Sequence, residues 1–130
     1  MPDFPASAST VILLAHGARD PEWAVTLQRI AAAVQALAPQ QAVATAFLGM
    51  LAPTLEECVA ERIAAGEQDL LVVPVFIAAG GHIKRDIPER VAALRERFPQ
   101  ARIRLEGAVG EADAVINAIA AHALSLAGRG

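Results

Sequence analysis

The chain has 130 residues, enough for one domain and too few for two of ordinary size. Eleven basic residues against 14 acidic ones leave a net charge of −3, which excludes a protein built to coat polyanions, so no nucleic-acid partner is expected. A hydrophobic content of 55% excludes disorder throughout, and the lone cysteine, Cys58, excludes an internal disulfide and a cysteine-based zinc site.

Residues 1–9 read as a loose tail without the basic start of a secretion signal. Residues 11–15 are a continuous apolar run, as expected of a strand covered on both faces. Asp20-Pro21 is a helix cap followed by a first-turn proline. Trp23, Leu27, Ile30, Val34 and Leu37 then form one helical face, with Trp23 as its anchor. Residues 30–55 carry no charge, and about 20 apolar residues can span a bilayer. Pro39-Gln40-Gln41 and Pro53 interrupt that stretch, so it reads as two soluble elements and a turn, with no membrane partner. Residues 42–48 are the second strand.

Thr54-Leu55-Glu56-Glu57 is a capping box, and Leu55, Val59 and Ile63 continue the face of the helix it opens. Glu56 is expected to face solvent, Cys58 to be a small buried residue, and Gly66 to end the helix. Residues 70–77 are the strongest strand, and Pro74 within it favours an edge or a local irregularity. Asp86 reads as the cap of a third helix with Ile87, Val91, Leu94 and Phe98 as its stripe. Residues 101–105 alternate Ile103 and Leu105 with Arg102 and Arg104, the pattern of an edge strand. A last helix follows Gly110 with Val115, Ile116, Ile119 and Ala123 turned inward, and the glycine-rich end after it should fray.

Four strands alternating with four helices predict an open α/β sheet, parallel, with helices on both faces. A flavodoxin-like winding gives the strand order 2-1-3-4, so the first and third strands are neighbours where the winding reverses. Ligands bind beyond the carboxyl ends of the strands at such a point. The first strand runs into His16-Gly17, and the third into Gly80-Gly81-His82. The topology therefore brings two distant histidines to one crevice, each beside glycine and each before a helix whose free amides favour anions. Neutral imidazole coordinates Co, Ni, Fe and Zn and is the usual general base near neutral pH. Two histidines alone make an incomplete metal site, suited to holding an ion and handing it over.

At these residues the sequence resembles a known family. Ala15-His16-Gly17-Ala18-Arg19-Asp20-Pro21, Pro53-Thr54-Leu55-Glu56-Glu57, Val72-Val73-Pro74-Val75-Phe76 and Gly80-Gly81-His82-Ile83-Lys84-Arg85-Asp86-Ile87-Pro88 are similar to the small CbiX-type sirohydrochlorin chelatases. The resemblance implies a single chelatase-like domain over residues 10–127, paired as a homodimer, and the single cysteine fits a reducing cytoplasm. It implies a lyase-class enzyme that inserts Co²⁺, or in relatives Fe²⁺ or Ni²⁺, into sirohydrochlorin on the way to cobalamin or sirohaem. The metal is then a substrate, with no permanently bound cofactor. His16 and His82 become the metal-binding and proton-accepting residues. Arg19, Gly80, Gly81, Lys84 and Arg85 become the holders of the tetrapyrrole's carboxylates.

One position departs from the family. Where its members commonly end the second strand in Phe-Leu-Glu, with the glutamate at the metal site, this chain has Phe47-Leu48-Gly49. Met50 offers a thioether nearby but reads as a packed loop residue, and Asp86 could orient His82. The gap motivates a second reading, a non-catalytic carrier of metal or tetrapyrrole. A third, phosphoryl transfer by His16, fits poorly because Ala15 stands where such enzymes carry arginine.

Overall fold

The structure, a computed structural model, describes residues 4–17 and 19–129. Residues 1–3 of the expected tail, Ala18 and Gly130 lie outside the described residues. The elements run β1 (Thr10–Ala15), α1 (Glu22–Leu37), β2 (Val43–Phe47), α2 (Leu55–Ala64), β3 (Asp69–Pro74), α3 (Gly81–Arg97), β4 (Arg102–Leu105), a 3-10 turn (Val109–Glu111) and α4 (Asp113–Ala127). All strand pairs are parallel and the order is β2-β1-β3-β4, as the alternation predicts.

The two faces of the sheet bury unequal amounts. Ile12, Leu14, Leu70, Val72 and Ile103 point to one face, where Leu55 and Val59 of α2 and Ile87, Val91 and Leu94 of α3 close over them. On the opposite face Leu13 and Phe47 pack against Leu27 of α1, and Val73 and Val75 of β3 are only half-buried. Period-2 alternation along each strand produces this split.

The capping box of α2 forms as read: Thr54 Oγ1 accepts from the Glu57 amide at 3.2 Å, and Glu57 Oε1 accepts from the Thr54 amide at 2.8 Å. Asp20 Oδ1 accepts from the Glu22 amide at 3.0 Å and so opens α1. β3 lies inside the sheet, not at its edge. Pro74 is the strand's last residue, where a missing N–H interrupts no ladder, and Val75 resumes the pairing by donating to Leu14 O at 2.7 Å. Before β1, the Phe4 amide bonds Leu37 O at 2.9 Å and the Ser7 amide bonds Gln41 Oε1 at 2.9 Å.

Two helices differ from the sequence reading. Trp23 does not anchor α1: it is 67% exposed, and Leu27 is the residue of that helix that is buried. α4 carries the expected apolar stripe but buries none of it; Ile116 and Ile119 are about half-exposed, at 47% and 49%. Periodicity reports that a face is apolar, not that an element of the same chain covers it.

Cys58 is buried on α2, and burial pushes its thiol up to about 11. The folded protein should therefore resist alkylation at neutral pH, while the denatured protein reacts at the normal rate. Mass-spectrometric labelling with iodoacetamide, with and without urea, measures the difference.

Candidate metal-handling cleft

The site is built where β1 and β2 leave the sheet. Their pairing continues past the strands, with the Leu48 amide bonding Ala15 O at 3.0 Å and the Gly49 amide bonding His16 O at 3.3 Å. Gly17 follows with φ +95°, and a Cβ there would lie 1.9 Å from the Gly49 carbonyl oxygen. Only glycine permits both that φ and that approach. His16 is thereby fixed against the start of the loop after β2. Its Nδ1 sits 3.2 Å from the Gly17 carbonyl oxygen. That oxygen can only accept, so the contact is a hydrogen bond when Nδ1 carries a proton.

His82 arrives from the other side. The sequence reading placed it in a loop with Asp86 as the following cap, but α3 begins five residues earlier, at Gly81. Gly80, in an extended conformation, is the cap residue, and its carbonyl accepts from the Ile83 amide at 3.0 Å. Asp86 is instead inside the helix, 3.6 Å from Arg90. His82, Lys84 and Arg85 thus ride on the first turns of α3, whose free amides add positive potential to this end of the sheet.

His16 and His82 line one cleft of about 210 Å³ together with Leu48, Gly49, Met50, Ile83, Asp86 and Arg90. Both histidines are exposed. Among the described residues no group of three or more His, Cys, Asp or Glu is close enough to share an ion, so the imidazoles stand as a pair. Gly49 faces open space, with nothing within 4 Å of where its Cβ would be. Met50 is not packed as expected: it is 72% exposed with φ +68°, turned outward by a tight bend in which the Leu51 amide bonds Gly49 O at 2.8 Å.

The proposed carboxylate holders divide. Gly80 and Gly81 form the start of α3 beside the cleft. Lys84 lines a different hollow of about 280 Å³ between α3 and the end of β4, with Ile83, Ile87, Glu106 and Glu111. Arg19 and Arg85 are exposed and line neither cavity.

Two residues that the sequence did not mark for the site belong to its surroundings. Trp23 lines an apolar hollow of about 290 Å³ with Ala15, His16, Phe47, Val75 and Phe76, so His16 stands between two clefts. Arg90 ties the cleft together. Its Nε donates to Glu56 Oε2 at 2.8 Å, Nη2 to Glu56 Oε1 at 2.5 Å and Nη1 to Leu48 O at 3.0 Å. Glu56 was expected to face solvent; it is held in this bidentate pair. The helix bearing His82 is therefore fastened to the segment hydrogen-bonded to His16. The Asp86–Arg90 spacing was the only sequence cue, because the Glu56 contact joins residues 34 apart.

The chain is a parallel α/β sheet with two imidazoles lining one cleft at its switch point. The family model CbiX matches residues 10–125, and the chain belongs to the CbiX family. A sirohydrochlorin cobaltochelatase of Methanopyrus kandleri is 37% identical over 79 residues, covering 61% of this chain and 55% of that protein. One of Methanococcoides burtonii is 30% identical over 97 residues, covering 75% and 73%. The matched part thus spans about half the length of the first relative and about three quarters of the second. Among solved structures, a CbiX protein of Marinobacter aquaeolei VT8 assigned to cobalamin biosynthesis superposes with a TM-score of 0.81 at 27% identity, covering 93% of this chain and 96% of that one. The sirohydrochlorin chelatase SirB of Bacillus subtilis subspecies spizizenii, in complex with cobalt, shares the fold at a TM-score of 0.67 and 24% identity, covering 77% and 43%.

Two predictions follow from the clamp and the close approach. Arg90 hydrogen-bonds Glu56 and holds its carboxyl below the usual carboxylate range. A carboxyl with a lowered folded pKa stabilises the fold above its unfolded pKa, and that contribution disappears as the pH falls through the folded value. Arg90→Met should cost about 1 kcal/mol at pH 7, and the difference from the parent should shrink below the ordinary glutamate range. Urea unfolding midpoints across pH 7 to 3 test this. Gly17→Ala should displace the loop bearing His16 and lower the thermal midpoint, since it combines a positive φ with a backbone clash. Differential scanning calorimetry measures the drop.

Proposed function

We propose that this protein inserts a divalent metal, Co²⁺ first among Co²⁺, Fe²⁺ and Ni²⁺, into sirohydrochlorin. The observation that carries the reading is the pair of exposed imidazoles lining one cleft at the sheet's switch point. Membership of the CbiX family supports it.

The chemistry follows from what insertion requires. Two pyrrole N–H protons must leave as the macrocycle nitrogens replace the ion's previous ligands. Two neutral imidazoles hold a borderline divalent ion without completing its coordination, so open positions remain for the incoming nitrogens. As the ion transfers, each imidazole regains a lone pair and can accept a proton near neutral pH. His16 and His82 take both parts. The start of α3 at Gly80 and Gly81, with the exposed guanidinium groups of Arg19 and Arg85, attracts the substrate's carboxylates, and Lys84 serves those reaching the neighbouring hollow. The hollow beside Trp23 offers an apolar wall for the macrocycle. A macrocycle needs a second wall, and a second copy of the chain supplies it in a homodimer. The buried, unpaired Cys58 suits a reducing cytoplasm, and among the described residues no helix is long and apolar enough to cross a membrane.

Gly49 favours a second reading in which the same cleft binds metal or tetrapyrrole and passes it on without catalysis. The open space at Gly49 admits a longer side chain, so the two readings are separable by experiment. Anaerobic incubation with sirohydrochlorin and Co²⁺ should give an absorbance change faster than the uncatalysed rate. His16→Ala and His82→Ala should each slow it about 100-fold or more, and an unchanged rate in either removes that residue's role. Binding by calorimetry without turnover, with turnover gained in Gly49→Glu, selects the carrier.

A further inference from the structure

The cleft shared by His16 and His82 holds a further donor atom, the thioether of Met50. Met50 follows Gly49, whose amide bonds the His16 carbonyl oxygen at 3.3 Å, so its backbone is tied to the first histidine. It sits at φ +68°, at the centre of a three-residue turn closed by the Leu51 amide on Gly49 O at 2.8 Å. Left-handed backbone is strained for a residue with a side chain, and such strain gathers at ligand sites. The turn aims a long apolar side chain outward, where it is 72% exposed.

The oxygen donors around this cleft are already engaged. Both carboxylate oxygens of Glu56 accept from Arg90, and so does the Leu48 carbonyl, at 3.0 Å. Asp86 lies 3.6 Å from the same guanidinium. An ion that captured one of these carboxylates would take from Arg90 the charge that balances it. The donors left among the described lining residues are two imidazoles and one thioether, a set of two nitrogens and one sulfur.

That set has a preference of its own. Thioether sulfur is soft and polarizable and selects monovalent copper, which imidazole also accepts. Monovalent copper tolerates low coordination numbers, so it needs no oxygen to complete its shell. The rotatable bonds of a methionine let an exposed sulfur swing toward an ion held between the rings.

We propose that Met50 completes, with His16 and His82, a two-nitrogen, one-sulfur site for monovalent copper, which occupies the cleft in competition with the divalent metal. The ion binds and leaves as Cu⁺, with no change of oxidation state. The inference rests on the imidazole pair being a metal site and is independent of turnover with sirohydrochlorin.

Anaerobic titration of the purified protein with Cu⁺ against the chelator bathocuproine disulfonate measures the affinity. A single Cu⁺ should bind, and Met50→Leu should weaken it by about 10-fold or more. The substitution keeps the size of an exposed side chain, so the thermal midpoint and the Co²⁺ affinity read by calorimetry should stay at the parent's values. His16→Ala should abolish Cu⁺ binding, and equimolar Cu⁺ should abolish the heat of Co²⁺ binding to the parent. X-ray absorption of the copper-loaded parent should show a sulfur neighbour that is lost in Met50→Leu, which still carries Met1 and Cys58. Equal Cu⁺ affinity in the parent and Met50→Leu, a sulfur neighbour that persists in that variant, or Co²⁺ binding indifferent to Cu⁺ would each overturn the proposal while leaving the divalent site standing. A parent that binds neither ion would overturn both.

Discussion

The whole site depends on the absence of a side chain at Gly17. The loops after β1 and β2 touch backbone to backbone, and the carbonyl of Gly49 occupies the volume that any Cβ at position 17 would need. That contact extends the ladder between the two strands by two hydrogen bonds beyond the sheet. It turns a flexible strand-to-helix connection into a rigid extension of β1 and sets His16 against it. Placing an imidazole on the end of a strand gives it the precision of the sheet, which a free loop cannot supply.

The second imidazole is positioned by different means. His82 sits on the first turn of α3, and α3 is held to the sheet by Ile87, Val91 and Leu94. Arg90, three residues after Ile87, adds a polar tie across the cleft, joining α3 to Glu56 and to the carbonyl of Leu48. Hydrophobic packing fixes where the helix lies; the planar guanidinium fixes its setting relative to the loop after β2. The placement of the two histidines thus depends on the close approach of two glycines, the packing of α3 and one charged fork. Among the described residues no group of three or more His, Cys, Asp or Glu forms around them.

The two faces of the sheet are covered unequally. One face of the sheet is closed by two helices of its own chain, the other by one. Leu71, Val73 and Val75 on that side stay half-buried. α4 buries none of its own side chains.

Much of this was written locally in the sequence. Strand and helix order, the parallel sheet, the capping box at Thr54, the stop at Gly66 and the buried stripe of α3 follow from periodicity and cap chemistry within a few residues of each other. So did the convergence of His16 and His82, because right-handed crossovers leave few ways to order four strands. What tertiary structure alone decided lies between distant elements. The pairing of Glu56 with Arg90, the start of α3 at Gly81, the exposure of Trp23 and the bare stripe of α4 depend on what meets each face after packing. A residue pattern states which side of an element avoids water. Only the arrangement of the other elements determines whether that side is covered, and by which chain.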